Sequence, residues 1–158
     1  MHITSKTHGT QIVYFDIEDF DKIKNYKWHI NKTYNTYRVW AQIKRKTMYM
    51  HKIILNNEIK DIDHINGNGL DNRKCNLRAC NKSQNGMNRG APSSNTSGYK
   101  GVYYKKRDKK WVAFISVNGK HYNGGSFKDI NMAAVKYNEM AIKYHGEYAR
   151  LNEVINGS

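Results

Sequence analysis

The chain has 158 residues, enough for one medium-sized domain or two small ones, and its formal net charge is +14 at pH 7. So large a positive charge favours a polyanionic partner, of which nucleic acid is the simplest. Residues 1–97 contain 16 basic and 8 acidic side chains, and residues 98–152 contain 11 basic and 4 acidic ones. Both halves can therefore contact phosphates.

The cysteine content and the hydropathy exclude two classes of protein. Cys75 and Cys80 are the only cysteines, so a zinc site built from four cysteines is excluded and we expect no zinc. A reduced intracellular protein is favoured over a disulfide scaffold. The longest apolar run, Trp111 to Ile115, is far too short to span a membrane, so we expect a soluble protein without a signal peptide or membrane partner.

Residues 10–55 predict short strands with one helical turn. Gln11–Phe15 is rich in strand-forming residues, and the acidic stretch Ile17–Asp21 predicts a turn or short helix. Two further segments alternate as half-buried strands do, Tyr26–Ile30 and Tyr37–Ile43. Residues 31–35 supply the turn between them, and Thr47–Leu55 is consistent with a strand or a short helix.

Residues 61–89 contain strand, turn and helix signals in close succession. They predict two paired strands, Asp61–Ile65 and Leu77–Cys80. The loop between the strands contains two strong turn signals, Asn66-Gly67 and Asn68-Gly69. Ser83 is a candidate N-cap for a short helix that carries Asn85. This order predicts a ββα unit.

The polar residues of this segment suit phosphodiester hydrolysis. Asp63 and Asn85 offer two oxygen ligands to a hard divalent cation, and a neutral His64 is a suitable general base at pH 7. Neighbouring strand residues point to opposite faces, so Asp63 and His64 reach one phosphate only if the strand is distorted at the loop.

Four motifs, in this order and spacing, resemble the HNH nuclease family in the variant where Asn replaces the last His: Asp63-His64-Ile65-Asn66-Gly67, Leu70-Asp71-Asn72-Arg73, Asn76-Leu77-Arg78 and Ser83-Gln84-Asn85. The resemblance implies a ββα-metal nuclease that cuts double-stranded DNA, leaving 5′-phosphate and 3′-hydroxyl ends. It implies Mg²⁺ as the cation, with Mn²⁺ as a substitute.

The resemblance also assigns roles to individual residues. Asp63 and Asn85 are the implied metal ligands, His64 the implied general base, and Asn76 the implied brace of the loop. Asp71 and Asn72 are expected to brace the loop as well, and Arg73 to contact a phosphate. His51 resembles a histidine that recurs ahead of the motif in related phage nucleases. The resemblance implies that it packs beside the site or contacts the phosphate, and the alternative is a histidine of the core.

Residues 90–97 predict a linker, because they combine the only proline, Pro92, with Ser, Asn and Thr. Residues 98–152 then predict three strands, Lys100–Tyr104, Trp111–Val117 and Lys120–Phe127, with a strong hairpin signal at Asn118-Gly119. A helix is predicted from Ile130 to His145, capped by Asp129 and followed by Gly146. Its apolar face contains Ala133, Tyr137, Met140, Ala141 and Tyr144.

Several motifs of this second segment resemble the AP2/ERF DNA-binding domain, among them Tyr99-Lys100-Gly101-Val102, Trp111-Val112-Ala113, Gly125-Ser126-Phe127 and His145-Gly146-Glu147-Tyr148-Ala149. The resemblance implies a three-stranded antiparallel sheet packed on one helix, with the outward side chains in the major groove of DNA. It implies six DNA contacts, Lys100, Tyr103, Lys105, Lys106, Ser116 and His121. Sheet alternation places Val102, Val112 and either Ile115 or Phe114 near the helix.

The sequence therefore predicts an α+β protein with a β-rich extension and nuclease domain over residues 1–89, a linker over 90–97, an AP2-like domain over 98–152 and a tail over 153–158. The predicted function is that of a phage or homing type HNH endonuclease, with a DNA-binding regulator that carries a degenerate nuclease unit as the alternative. No obligatory protein partner is inferred, and monomer and homodimer both stay open. The basic run Lys44–Lys46 is as consistent with DNA contact as with a solvated turn.

Overall fold

The computed structural model describes residues 1–33, 36–56 and 59–154, and it contains small antiparallel sheets and short helices. The predicted α+β class is confirmed. The chain divides into two compact units, Met1–Asn85 and Gly86–Ser158. Among the described helices, none is both long enough and apolar enough to cross a membrane. The predicted tail at residues 153–158 extends beyond the described residues.

The first unit begins with two small antiparallel sheets. Strands β1 (His2–Ser5) and β2 (Gly9–Ile12) pair with each other, and a 3-10 turn at Ile17–Asp19 leads into helix α1 (Phe20–Ile23). The second sheet has three strands in chain order, β3 (Trp28–Thr33), β4 (Thr36–Ile43) and β5 (Lys46–Tyr49), and helix α2 (Met50–Ile54) follows it directly. The segment that was consistent with a strand or a helix thus contains both.

The turn expected at residues 31–35 is shorter than predicted. Asn31 to Thr33 still belong to β3, and the rest of the predicted turn, residues 34–35, lies outside the described residues.

The core of the first unit is built on one face of the β3–β5 sheet. Strand alternation buries Ile30, Val39 and Ala41, which pack in one cluster with Met50 and Ile54 of α2. The cluster extends to Ile62, Leu70 and Leu77, so the segment that carries the polar motifs is anchored in the same core.

Two strands and a helix follow in the order expected from the sequence. They are β6 (Ile62–His64), β7 (Leu77–Ala79) and α3 (Lys82–Met87), and β6 and β7 pair antiparallel. The predicted N-cap is wrong, because Ser83 lies inside α3. Asn81 Oδ1 instead accepts the Gln84 N–H at 2.9 Å, and Gln84 Oε1 accepts the Asn81 N–H at 2.8 Å, which is a capping box.

The second unit contains one antiparallel sheet and one long helix. Its strands are β8 (Val102–Lys105), β9 (Lys110–Val117) and β10 (Lys120–Phe127), with β9 in the centre, and helix α4 spans Ile130–His145. The predicted helix and both of its boundaries are confirmed. Asp129 accepts the Met132 N–H at 2.9 Å, and Gly146 ends the helix at φ +54°.

The core of the second unit lies between the sheet and α4. Val102, Ala113 and Ile115 pack against helix residues Ala133, Ala134, Tyr137, Met140 and Ala141. The expected placement of Val112 near the helix is wrong. Val112 is adjacent to Ala113 on the same strand and therefore points to the opposite face, where it lines a groove with Tyr103 and Phe114.

Candidate functional site

His64 is the last residue of β6, and Asn72 orients its imidazole. Its Nε2 lies 3.4 Å from Asn72 Oδ1. The amide of the buried Asn72 is itself oriented, because its Nδ2 donates to the Gly69 carbonyl at 3.4 Å. An amide oxygen can only accept, so this contact is a hydrogen bond in the tautomer that carries the proton on Nε2.

The surroundings of His64 keep it neutral at pH 7. Burial lowers the pKa of His64 below its ordinary value of 6.5, and this effect exceeds the opposing hydrogen bond to Asn72 and the charges of Asp63 and Asp71. A neutral imidazole at the end of a strand meets the first requirement of a general base.

The structure places His51 directly beside His64. The two rings meet edge to face with centroids 5.2 Å apart, and the His51 ring also stacks on that of Tyr49 with centroids 5.6 Å apart. Burial, and then the charge of His64, lowers the pKa of His51 to about 3. His51 is therefore neutral at pH 7 and packs against the imidazole of His64.

Arg38 completes this row of side chains, although it lies outside every motif that the sequence offered. Its guanidinium Cζ lies 5.7 Å from the centre of the Tyr49 ring, and its charge contributes to the lowered pKa of both His51 and His64. The available signal was the strand alternation, because exposed Arg38 precedes buried Val39 in a strand that was predicted correctly.

Asp63 lies opposite Arg78 across the β6–β7 pair, and the two form a buried ion pair. Arg78 donates to Asp63 Oδ2 from Nε at 3.1 Å and from Nη2 at 2.8 Å. The two side chains are only 7% and 13% exposed. Arg78 belongs to the motif Asn76-Leu77-Arg78, but the motif predicted no role for it. A cation bound at Asp63 would share this carboxylate with the guanidinium.

Asn76 ties together the loop between β6 and β7. Its Oδ1 accepts the Asn66 N–H at 3.0 Å, and its Nδ2 donates to the Asp71 carbonyl at 2.8 Å. Asn66 Nδ2 also donates to Asp71 Oδ2 at 3.0 Å. The loop that holds Asn72 against His64 is thus closed by hydrogen bonds at both ends.

Arg73 binds the carboxylate of Asp71 with two parallel hydrogen bonds. Nε donates to Oδ1 at 2.8 Å and Nη2 donates to Oδ2 at 2.7 Å. This pairing lowers the pKa of Asp71 and raises that of Arg73. The Arg73 side chain is 48% exposed and also packs over the Tyr14 ring. A phosphate contact by Arg73 would have to coexist with its bond to Asp71.

The loop also approaches β4 so closely that only glycine fits at position 69. A β-carbon on Gly69 would lie 1.8 Å from the Tyr37 carbonyl oxygen, and the Gly69 N–H donates to Thr36 Oγ1 at 2.8 Å. The turn signal at Asn68-Gly69 thus marks a close backbone contact that fixes the loop on the sheet.

Asn85 lies half-buried on α3, where its N–H donates to the Asn81 carbonyl at 2.9 Å. Over the described residues, no group of three or more His, Cys, Asp and Glu side chains is arranged to hold a metal ion. One carboxylate and one amide oxygen nevertheless fit Mg²⁺ by donor type, because Mg²⁺ keeps several waters and binds through few protein oxygens together with substrate phosphates. The same donors do not fit zinc.

In the second unit, four of the six predicted DNA contacts share the sheet face that points away from α4. Tyr103, Lys105, Ser116 and His121 lie on this face by strand register, and Ser116 Oγ hydrogen-bonds His121 Nδ1 at 2.8 Å. A shallow groove of about 270 Å³ lies between them, lined by Tyr103, Val112, Phe114, His121, Tyr122 and Asn123. Lys106 follows β8 in the hairpin turn.

Lys100 lies elsewhere, in the turn before β8. Its ammonium donates to the Met87 carbonyl, and its backbone N–H donates to Asn152 Oδ1 at 2.7 Å. Burial, with a contribution from the charge of Arg150, lowers the pKa of Lys100 to about 8. A phosphate contact by Lys100 would replace a hydrogen bond that the protein already makes.

One comparison with known proteins gives relatives from two viruses. The chain is 36% identical over 89 residues to protein 3.8 of Escherichia phage T7, an alignment that covers 56% of this chain and 73% of the phage protein. It is 27% identical over 146 residues to an uncharacterized HNH endonuclease of Acanthamoeba polyphaga mimivirus, covering 89% of this chain and 74% of the relative. No family model and no solved structure matches the chain.

Proposed function

The chain belongs to the family of protein 3.8 of Escherichia phage T7, and we propose that it is an HNH-type endonuclease that hydrolyses a phosphodiester bond in double-stranded DNA. The observation that carries the proposal is the neutral, oriented His64 next to the carboxylate of Asp63 at the end of β6. The similarity to a mimivirus HNH endonuclease supports the same function.

The chain's own residues would act as follows. His64 accepts the proton of the attacking water, while Asn72 orients its ring and His51 packs against it. Asp63 and Asn85 would hold Mg²⁺, or Mn²⁺ in its place, which when bound neutralises the departing 3′ oxygen. The products carry 5′-phosphate and 3′-hydroxyl ends.

The open sheet face of the second unit is the proposed DNA-binding surface, in the manner of an AP2-like domain. Lysine is a point charge that reads guanine less well than arginine, so phosphate contacts are expected to supply most of the affinity. The protein would act at preferred sites, as homing-type enzymes do, inside the host cell. A unit with one general base and one metal cuts one strand each time it binds DNA. A double-strand break therefore needs a dimer or two successive binding events.

The test is relaxation of a supercoiled plasmid by the purified full chain, with and without Mg²⁺. We expect metal-dependent conversion to open circle that His64→Ala abolishes. His2→Ala, at an exposed histidine of the same unit, is the matched control and should cut normally. Cleavage by His64→Ala at the wild-type rate would refute the assignment of the base.

The second candidate is a DNA-binding regulator whose nuclease unit is inactive. Two observations favour it, because Asn85 is a neutral ligand and Arg78 already neutralises the carboxylate of Asp63. This candidate predicts a salt-sensitive gel shift without cleavage in any divalent metal, on a plasmid library that contains many potential sites.

A further inference from the structure

The outer face of the β3–β5 sheet is polar and aromatic along its whole length. Strand register places these side chains on the face opposite the core: His29, Asn31, Arg38, Trp40, Gln42 and Tyr49. We call them the first-sheet face. Asn31, Arg38 and Gln42 are exposed, and Trp40 stacks on His29 with ring centroids 4.8 Å apart. The face combines hydrogen-bonding amides, a cation and flat rings, and it contains no acidic side chain.

The hairpin at the end of this sheet carries two cations in a conformation that suits neither. Ile43 pairs with Lys46, so Lys44 and Arg45 form a two-residue turn with φ of +46° and +63°. Turns of this kind prefer Asn-Gly, because positive φ is unfavourable for residues with long side chains. Backbone strain of this sort persists where a function needs the side chain. Two exposed cations thus occupy the tip against the local conformational preference.

The first-sheet face is continuous with the candidate catalytic site. Arg38 packs over Tyr49, Tyr49 stacks on His51, and the ring of His51 contacts that of His64. All of these residues belong to the first unit. A phosphate backbone bound at Arg38 would therefore lie at one end of a row of contacting side chains whose other end is His64.

We propose that the first-sheet face and the Lys44–Arg45 turn bind the phosphate backbone of duplex DNA and hold it against His64. The inference rests on the proposed function, because it supplies the substrate contact of that same site. Duplex DNA is the occupant for two reasons. Cations and amide groups match a phosphate backbone, and the surface ends at a residue that must reach a phosphodiester.

The test is the double variant Lys44→Asn/Arg45→Gly in the full chain. It removes two charges and at the same time supplies the residues that the turn prefers, so its melting temperature should rise by about 2–4 °C. Binding of a fluorescein-labelled DNA duplex is measured by anisotropy in EDTA at several salt concentrations. Loss of two phosphate contacts should reduce the slope of log K against log [salt] by about 1.8 and weaken binding by roughly tenfold for each contact at 0.1 M salt.

Lys6→Asn/Lys24→Asn is the control, because it removes the same charge from two exposed lysines that lie outside the β3–β5 sheet. Arg38→Gln is the second variant, and its slope should fall by about 0.9. The inference would be overturned if the Lys44→Asn/Arg45→Gly variant had the same salt slope as the wild-type chain. It would also be overturned if that variant and the control lost the same DNA affinity. Cleavage by the wild-type chain is measured separately with Mg²⁺, so a failure of the nuclease assignment would be distinguished from a failure of this DNA contact.

Discussion

Replacing Arg78 with methionine should destabilise the first unit strongly, because it leaves the carboxylate of Asp63 buried without a cation. The two side chains are 7% and 13% exposed, and Arg78 donates two hydrogen bonds, at 3.1 and 2.8 Å, to Asp63 Oδ2. Removing one partner of a buried ion pair costs about 3–5 kcal/mol. The double variant Asp63→Asn/Arg78→Met leaves no buried charge, so it should recover most of this loss.

The assay is urea unfolding in a Trp111→Phe background, where fluorescence reports only Trp28 and Trp40 of the first unit. If Asp63 is a metal ligand, Mg²⁺ at one hundred times its Kd should add about 2.7 kcal/mol to the stability of the wild-type chain and less to that of the double variant. A loss below about 1 kcal/mol in Arg78→Met, or no recovery in the double variant, would show that the ion pair does not determine the stability of this unit.

Three further predictions concern residues around His64. His64→Ala should slow plasmid nicking by about 10²–10⁴-fold while a gel shift stays unchanged, and a parallel loss of binding would contradict its role as base. The pKa of His51 is 6.5 in the unfolded chain and about 3 in the folded protein, so between pH 7 and pH 5 the unfolded chain takes up a proton that the folded protein does not. The free energy of unfolding should therefore fall by about 2 kcal/mol over this range. Urea unfolding at pH 7 and pH 5 should show a smaller fall in the free energy of unfolding for His51→Phe than for the wild-type chain. An equal fall would contradict the lowered pKa of His51. Gly69→Ala places a β-carbon 1.8 Å from a backbone oxygen and should reduce nicking, whereas Gly86→Ala, with nothing within 4 Å, should not.

The elements that the sequence predicted correctly are those whose signals are local. Asp129 and Gly146 bound α4 because a capping carboxylate and a positive-φ glycine act within one turn of the chain. Asn118-Gly119 forms its hairpin turn at φ of +50° and +76° for the same reason. The ββ pairing that carries Asp63 and His64 could be predicted because two turn signals separate two short apolar segments.

Two errors show where local reasoning is insufficient. Ser83 and Asn81 both have N-cap side chains, and the reciprocal bonds between Asn81 and Gln84 decide in favour of Asn81. Val112 is buried but does not face α4. Its burial comes from the aromatic side chains on the outer face of the sheet, so burial alone does not identify the helix-facing side of a strand.

The partners of the candidate site lie 8 and 15 residues away, beyond the range of a local turn or cap signal, so its composition could be predicted but its geometry could not. Asp63 and His64 are neighbours on a strand, yet the first pairs with Arg78 across the sheet and the second with Asn72 of the loop. Because β6 ends at His64, the loop and not the strand fixes the direction of its ring. The closure of that loop by Asn76 is therefore a condition for a correctly oriented base, although Asn76 itself need not contact the substrate.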